Sequence, residues 1–234
     1  MRTIVGCVCA VLMVVSCGGP LERAGPLRNE SRSVEQEGAK SALVNLVMGA
    51  GRLSASGGAQ HLLDATFIYN IPSWKPIVEY DVHGTKGNLT VRQPDTTRGA
   101  ANARYEWNLR LANEVPMDLR VRLGAGTSDL DLHGLDIGTL ELDAGAGQAV
   151  IDLTGDWRRD VTATIEAGVG QITLRLPKAT GVQVEIKRGI GAIDADGFKR
   201  DGGVYVNDAF GSSAVTMRIA MTAGIGAIHL QLEQ

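Results

Sequence analysis

Recurring carboxylates are the residues of this chain whose types and spacing could do chemistry. Asp131 and Asp152 occupy equivalent places in two successive Gly-x-Gly units. Neighbouring carboxylates raise each other's pKa, and such a pair can hydrolyse a glycosidic bond. Asp129 with Asp131, and Asp194 with Asp196, resemble the ligands of calcium-binding β-rolls. Those repeats adjoin without a gap, whereas the units here recur after 21 residues or more, so we expect solvated outward faces rather than a metal site.

The other reactive residue types lack productive spacing. The histidines show no metal-site pattern such as H-x-x-x-H, and the serines have no nucleophile-elbow context; the histidines are His61, His83, His133 and His229. The glycine triplets complete neither a dinucleotide-binding motif nor a phosphate loop. The sequence therefore predicts no catalytic residue, no metal and no cofactor. A polysaccharide-active β-helix enzyme is the less favoured alternative.

The N-terminus has the layout of a secretory signal. One positive charge precedes the apolar stretch "IVGCVCAVLMVV", which is too short to span a bilayer. The following "SC" completes a stretch that resembles the lipobox of bacterial lipoproteins, and this implies cleavage after residue 16 and lipid on Cys17. We expect residues 1–16 to be a signal peptide and Cys17 to anchor an extracytoplasmic protein. The site would be the outer membrane or periplasm of a two-membrane cell, or the surface of a one-membrane cell.

Residues 17–41 are expected to be the lipidated cysteine and a flexible linker, because the segment is polar and contains Pro and Gly. All three cysteines lie in the first 17 residues, so the remaining chain is predicted to fold without disulfides. The chain carries 23 Lys and Arg against 26 Asp and Glu, a net charge of −3, with no basic block. Binding to nucleic acid is therefore not supported.

A Gly-x-Gly triplet recurs along the chain and defines a repeat. Its first glycines lie at 49, 124, 145, 168, 189 and 224, so the intervals from 124 onward are 21, 23, 21 and 35 residues. Residues at fixed distances before each triplet are all apolar. Those three before are Leu46, Val121, Leu142, Ile165, Ile186 and Met221, and those five before are Val44, Leu119, Leu140, Ala163, Val184 and Ile219. Such periods indicate a solenoid of stacked coils.

Alternation continues after each triplet, with Leu, Ile, Ala or Gly four and six residues beyond it. Alternation with a period of two on both sides of a fixed turn is the strand pattern. The fold class is therefore all-β: a single-stranded β-helix with about 21–23 residues and two short strands per coil, parallel pairing between coils and an irregular N-terminal part. The insertion at 197–214 is expected to project as an arm. The final strand is expected to leave an open sheet edge suited to docking or self-association.

Several stretches resemble a known family. "GAGRLSASGGAQHLLDATFIYN", "KPIVEYDVHGTKGNLTVRQ" and "VPMDLRVRLGAGTSDLDLHGL" resemble the toast-rack domain of bacterial envelope proteins, and the later coils are similar to the LiaF-like C-terminal domain. The resemblance implies a toast-rack domain over 42–140 and LiaF-like coils over 141–234, continuous with it. It carries over no catalytic residue. Some relatives act in membrane-stress circuits, where they restrain a sensor kinase pathway.

Aromatic and basic residues outside the repeat are the candidates for a partner surface. They are Trp157, Arg158 and Arg159 in one corner and Phe198, Tyr205 and Phe210 in the insertion. Together these features predict a non-enzymatic, lipid-anchored binding or adaptor protein, or a stress-sensing accessory protein, at the cell envelope. Its expected partners are the membrane, through Cys17, and an envelope protein. A self-assembling structural protein of the envelope is the alternative.

Overall fold

The computed structural model describes residues 23–95 and 102–233. Within them the protein is almost entirely β-structure, with one short 3₁₀ helix at Pro72–Trp74. The strands are β1 (Arg28–Val34), β2 (Ser41–Ser56), β3 (Leu63–Tyr69), β4 (Ile77–His83), β5 (Lys86–Arg92), β6 (Tyr105–Leu111), β7 (Met117–Asp131), β8 (Ile137–Asp152), β9 (Val161–Pro177), β10 (Gly181–Asp194), β11 (Lys199–Asp201), β12 (Val204–Val206) and β13 (Thr216–Glu233).

Each coil is built from one long strand that bends at its glycine triplet. In β8, the triplet Gly145–Gly147 separates a first arm, before it, from a second arm, after it. Neighbouring long strands pair in parallel through both arms, and the triplets lie in register with one another. The predicted all-β solenoid with parallel pairing between coils is confirmed. The two short strands predicted for each coil are the two arms of one continuous strand.

The predicted inward columns form the core. All six residues three before the triplets and all six residues five before them are buried. Beyond the triplets, the column four residues on is buried at Ala55, Leu130, Ile151, Leu174 and Leu230. Burial of aliphatic columns from both arms is the main stabilising contribution in a chain that we expect to have no disulfides.

Close contact between coils explains the glycines. The second glycine of each triplet has a φ between +130° and +151°, a conformation that a side chain resists. A Cβ on Gly147 would lie 1.8 Å from the carbonyl oxygen of Gly126 in the preceding coil, and a Cβ on Gly145 would lie 2.3 Å from that of Gly124. The corners therefore stack backbone on backbone, and we call this column of six triplets the glycine ladder.

The order of the coils differs from their order in the chain. The final strand β13 lies between β9 and β10, with Ile225 paired to Val169 on one side and to Ile190 on the other. The expectation that the final strand forms the open edge is wrong, and the outermost long strand is β10. As a result, Thr222 of β13 lies between Glu166 of β9 and Lys187 of β10.

The stack divides at β2. The first arm of β2 continues the sheet through β5 and β4, whereas its second arm continues it through β6, β3 and β1. A buried aromatic cluster fills this end, with Trp107 in edge contact with both Phe67 and Tyr105. The flexible linker expected over 17–41 does not hold for Arg28–Val34, which pairs along its length with β3. Its polar side chains do not show the apolar alternation typical of a strand, because it is an edge strand with little buried surface.

The insertion does not project. Strands β11 and β12 form a hairpin that pairs antiparallel with the first arm of β10 and covers it. Asn207 is buried behind the hairpin, where its side-chain oxygen accepts from the amide of Val182 at 2.9 Å and its amide donates to the carbonyl of Thr180 at 2.7 Å. The hairpin is thus a cap on the last coil, and it leaves the second arm of β10 uncovered.

Candidate binding surfaces

The predicted Trp157 corner lies in the connection between β8 and β9. The indole nitrogen of Trp157 donates to the carbonyl of Leu153 at 2.8 Å, and its half-buried ring packs against the core. Arg159 forms an ion pair with Asp136, with 2.7 Å between Nε and Oδ1, and also donates to the backbone carbonyl of Asp136 at 2.6 Å. These contacts fix the corner to the neighbouring connection between β7 and β8.

A polar groove of about 570 Å³ runs beside this corner. Its lining combines amide, carboxylate and guanidinium groups with the indole, and includes Asn113, Glu114, Asp156, Trp157, Arg158 and Arg159. Arg158 is exposed, and no carboxylate of residues 23–95 or 102–233 pairs with it. We call Trp157, Arg158, Arg159 and this groove the Trp157 surface. It combines a fixed aromatic ring with a cation that is free to bind.

The insertion residues of the predicted partner surface have a different role. Tyr205 is buried at 4% exposure, and Phe198 packs half-buried against the core. Phe210 is also half-buried. Because β9 and β13 lie between β8 and β10, the structure does not bring these residues together with Trp157.

The two carboxylates of the glycosidase hypothesis are adjacent in the structure. Asp131 and Asp152 lie directly opposite each other on β7 and β8. Burial is the largest single influence on Asp152 and raises its pKa. The hydroxyl and amide of Thr154, at 2.6 and 3.0 Å, and the guanidinium of Arg175 outweigh it, so the pKa of Asp152 is lowered. The direction of this shift is opposite to the raised pKa that a general acid needs near neutral pH.

A metal site is also not formed by these residues. Among the described residues, no group of three or more His, Cys, Asp or Glu side chains is placed to hold a metal ion. Asp194 instead lies 3.6 Å from a ring nitrogen of His229 on the neighbouring β13.

An exposed aliphatic ridge was missed by the sequence reasoning. The middle residues of the triplets point outward, and the three largest are Val169, Ile225 and Ile190, which are 55%, 53% and 74% exposed. They adjoin one another in register at the β10 end of the stack, whereas the middle residues of the earlier triplets are alanines. The change from Ala to Val and Ile along the triplets was the available signal.

Cys17, the predicted lipidation site, lies outside the described residues. Across residues 23–95 and 102–233, no helix has the length and apolar character needed to cross a membrane.

Comparison with known families decides the relationship. The family model described as the N-terminal domain of toast_rack matches residues 23–175. The chain belongs to the toast-rack family. The match begins before and ends beyond the predicted toast-rack range of 42–140, and the LiaF-like character of 141–234 stays a prediction. No curated protein matches this toast-rack chain in sequence.

One solved structure shares the fold of this toast-rack protein, and another is similar over a comparable length. A proposed cell adhesion protein from Clostridium sporogenes is 32% identical, with a TM-score of 0.83 over 89% of this chain and 100% of that one. A proposed adhesin from Bacteroides fragilis is 12% identical, with a TM-score of 0.34 over 89% of this chain and 99% of that one. The first comparison extends over nearly the whole described fold.

Proposed function

We propose that this toast-rack protein is a non-enzymatic binding or adaptor module of the cell envelope, held outside the cytoplasm by lipid on Cys17, which engages an envelope protein through the Trp157 surface. The observation that carries the proposal is the combination of a fixed indole with the unpaired guanidinium of Arg158 beside a polar groove. The stress-sensing role of some relatives is one form that this binding could take.

The chemistry of the Trp157 surface suits a protein partner. Trp and Arg are the residue types that most often dominate binding energy at protein interfaces. Trp157 is already fixed by its hydrogen bond to Leu153, so little conformational entropy is lost when a partner covers it. The likeness to the C. sporogenes protein supports a role in binding at the cell surface.

Site-specific photo-cross-linking tests the partner surface. A photoreactive amino acid replaces Asp156, an exposed residue of the same groove, in the full-length protein in its native cells, so that Trp157 and Arg158 stay intact, and a matched chain carries it at the exposed Lys178. We expect one dominant cross-linked species from position 156 and none of that size from position 178. Trp157→Ala in the position-156 chain should reduce its yield at least fivefold. Equal yields with and without Trp157 would contradict the proposal.

Membrane association tests the anchor separately. We expect the wild-type protein to partition into the detergent phase of a cloud-point extraction and Cys17→Ser to partition into the aqueous phase, because acyl chains supply the apolar surface. Detergent-phase partitioning of Cys17→Ser at the wild-type level would exclude anchoring through this residue.

Self-assembly is a second candidate function, favoured by the exposed aliphatic ridge and the uncovered arm of β10. The two functions are compatible because the Trp157 surface and the β10 end lie on different coils.

A further inference from the structure

The outer edge of β10 is covered over only part of its length. Strand β12 pairs with residues 183–185, and the amide of Ile186 donates to the carbonyl of Gly203 at 2.8 Å. No described strand pairs with the outer edge beyond that point, so residues 187–194 present unpaired backbone. An uncovered strand edge is a template for pairing with another strand.

The direction of the backbone groups on this edge is known from the covered part. Residues whose side chains face the core turn their backbone groups outward, since Val182 accepts from the amide of Asn207 and Ile186 donates to Gly203. By the same alternation, Arg188 turns its N–H and C=O outward. Ile193 does so beyond the corner, because it continues the core column of Ile228.

Charge is distributed along this edge in a self-complementary way. Lys187 and Arg188 lie before the corner and Asp194 lies after it, and the side chain of Asp194 is 72% exposed. Lys187 is held 3.3 Å from Glu185 in an ion pair exposed to solvent, which leaves its other donors free. When two copies of this segment are aligned antiparallel, the basic end of each copy lies against the acidic end of the other.

We propose that residues 187–194 pair antiparallel with the same residues of a second copy, about a two-fold axis through the corner. Arg188 lies opposite Ile193 of the other copy in a hydrogen-bonded pair, and Lys187 lies opposite Asp194 in the adjacent non-hydrogen-bonded pair, where side chains are closest. In this register the outward backbone groups of Arg188 in one copy face those of Ile193 in the other. The same register places the positive charge of Lys187 opposite the negative charge of Asp194.

The corner itself fits this arrangement. Gly189 and Gly191 have no side chains to hold a second backbone away. The outward carbonyl of Gly191 already accepts a hydrogen bond from the guanidinium of Arg188, so the pairing does not have to satisfy it. Ile190 is 74% exposed, the highest fraction recorded for a large apolar side chain of the described residues, and it would be covered by the second copy.

The interface is small, so it depends on its charges. Like charges placed opposite each other cost affinity, and opposite charges restore it. The sensitivity of the pairing to charge reversal therefore distinguishes it from non-specific apolar association through the ridge.

A charge-exchange experiment tests the proposal. Full-length chains with two different epitope tags are co-expressed, and co-purification of one with the other from detergent-solubilised membranes is measured. We expect wild type to co-purify. Lys187→Asp with itself, and Asp194→Lys with itself, should co-purify at least fivefold less. The mixed pair of Lys187→Asp and Asp194→Lys should recover, because an acidic side chain again faces a basic one at both contacts, with the wild-type signs at one contact and exchanged signs at the other.

The control is Lys178→Asp, an equal charge reversal at an exposed position outside residues 187–194, which should co-purify as wild type does. Failure of the wild-type tags to co-purify overturns the proposal, as does a mixed pair no better than the single variants. Cross-linking of position 190 to a protein of another size would instead assign the edge to a different partner. Trp157→Ala should leave co-purification unchanged. The proposal for the Trp157 surface and the proposal for the β10 edge can therefore fail independently of each other.

Discussion

The two ends of the stack are closed by opposite chemistry. At the β2 end, the side-chain oxygen of Gln93 accepts from the amides of Gly49 and Ala50 at 2.7 and 3.2 Å. At the β10 end, the guanidinium of Arg188 donates to the carbonyl of Gly191. In the glycine ladder the corner carbonyls point toward the next coil, with the oxygen of Gly49 against Gly124 and that of Gly51 against Gly126. The β2 end therefore has free corner amides and the β10 end has free corner carbonyls, so each terminal corner needs the complementary group.

The two ends of the stack are also shielded from solvent to different degrees. Gln93 is buried at 7% exposure and directly follows β5, in one of the two extensions of the sheet. Arg188 is exposed, and a hairpin covers only one arm beyond it. The terminal corner at the β2 end is therefore buried within the domain, whereas the terminal corner at the β10 end is exposed and available for contact.

Inside the ladder, between the two ends, the largest effect is expected from Gly147→Ala. The new Cβ would lie 1.8 Å from the backbone oxygen of Gly126, and φ at this residue is +135°, so neither backbone can relax without breaking pairing. We expect a loss of at least about 3 kcal/mol in the free energy of unfolding, measured with urea.

Gly211→Ala is the matched control, because its φ is +85° but its Cβ would meet nothing within 4 Å. It should cost about 1 kcal/mol, which is the backbone strain alone. If Gly147→Ala costs no more than Gly211→Ala, the backbone contact between coils is not what requires glycine.

At the β10 end, the hairpin depends on Asn207. Asn207→Ala leaves the buried amide of Val182 and the carbonyl of Thr180 without their partner, and each unsatisfied buried group costs about 1–3 kcal/mol. We expect about 2 kcal/mol of destabilisation and faster hydrogen exchange in β11 and β12. Asn108→Ala, at an exposed position on β6, should change neither quantity. Unchanged exchange in the hairpin of Asn207→Ala would show that the cap is held by other contacts.

The hydrogen bonds that Gln93 and Arg188 make to the two terminal corners should contribute differently to the free energy of unfolding. Gln93→Leu removes a buried acceptor from two amides and should cost about 1–3 kcal/mol, whereas Arg188→Ala exposes a carbonyl to water and should cost under about 0.5 kcal/mol. Thermal unfolding of both variants measures the difference. Equal costs would mean that the ends are equally shielded.

The sequence predicts which residues form the core better than it predicts the order in which the coils stack. Spacing relative to the triplets identified the inward columns, because burial imposes a period of two wherever one face of a strand is covered. Spacing could not show that β13 enters between β9 and β10, since Ile225 fits against Val169 and against Ile190 equally well. That order follows from the hairpin, which continues directly from β10 and covers its edge.

Polar segments and outward positions were the least predictable. Arg28–Val34 carries little apolar surface and contributes backbone pairing rather than a core face, so its composition suggested a linker. Of the candidate partner surface, Arg158 is exposed and Trp157 is half-buried, but Tyr205 is buried because the last coil needs an apolar cap. Whether the Trp157 corner binds a partner stays a prediction.

The smallest effect concerns the β2 end, where His61 bonds Asp64 at 2.7 Å. This hydrogen bond raises the pKa of His61 and lowers that of Asp64 to about 2. The contribution of His61 is complete below its ordinary pKa of about 6.5 and is lost as the pH rises through the raised value. The contribution of Asp64 is present above its ordinary pKa and is lost as the pH falls toward 2.

Urea denaturation between pH 5 and 9 should therefore show wild type losing a small part of its stability as the pH rises. His61→Gln should flatten that slope, whereas His133→Gln, at an exposed turn position, should preserve it. A slope that His61→Gln leaves intact would assign the pH dependence to another group.

Native-state hydrogen exchange at the corners tests the glycine ladder most directly. If the coils stack backbone on backbone, the corner amides of residues 145–147, 168–170 and 224–226 exchange only on global unfolding, as slowly as those of the buried arms beside them. The hairpin amides of β11 and β12 exchange faster, through local opening. Corner amides that exchange as fast as the hairpin, while the arms stay protected, would contradict the account.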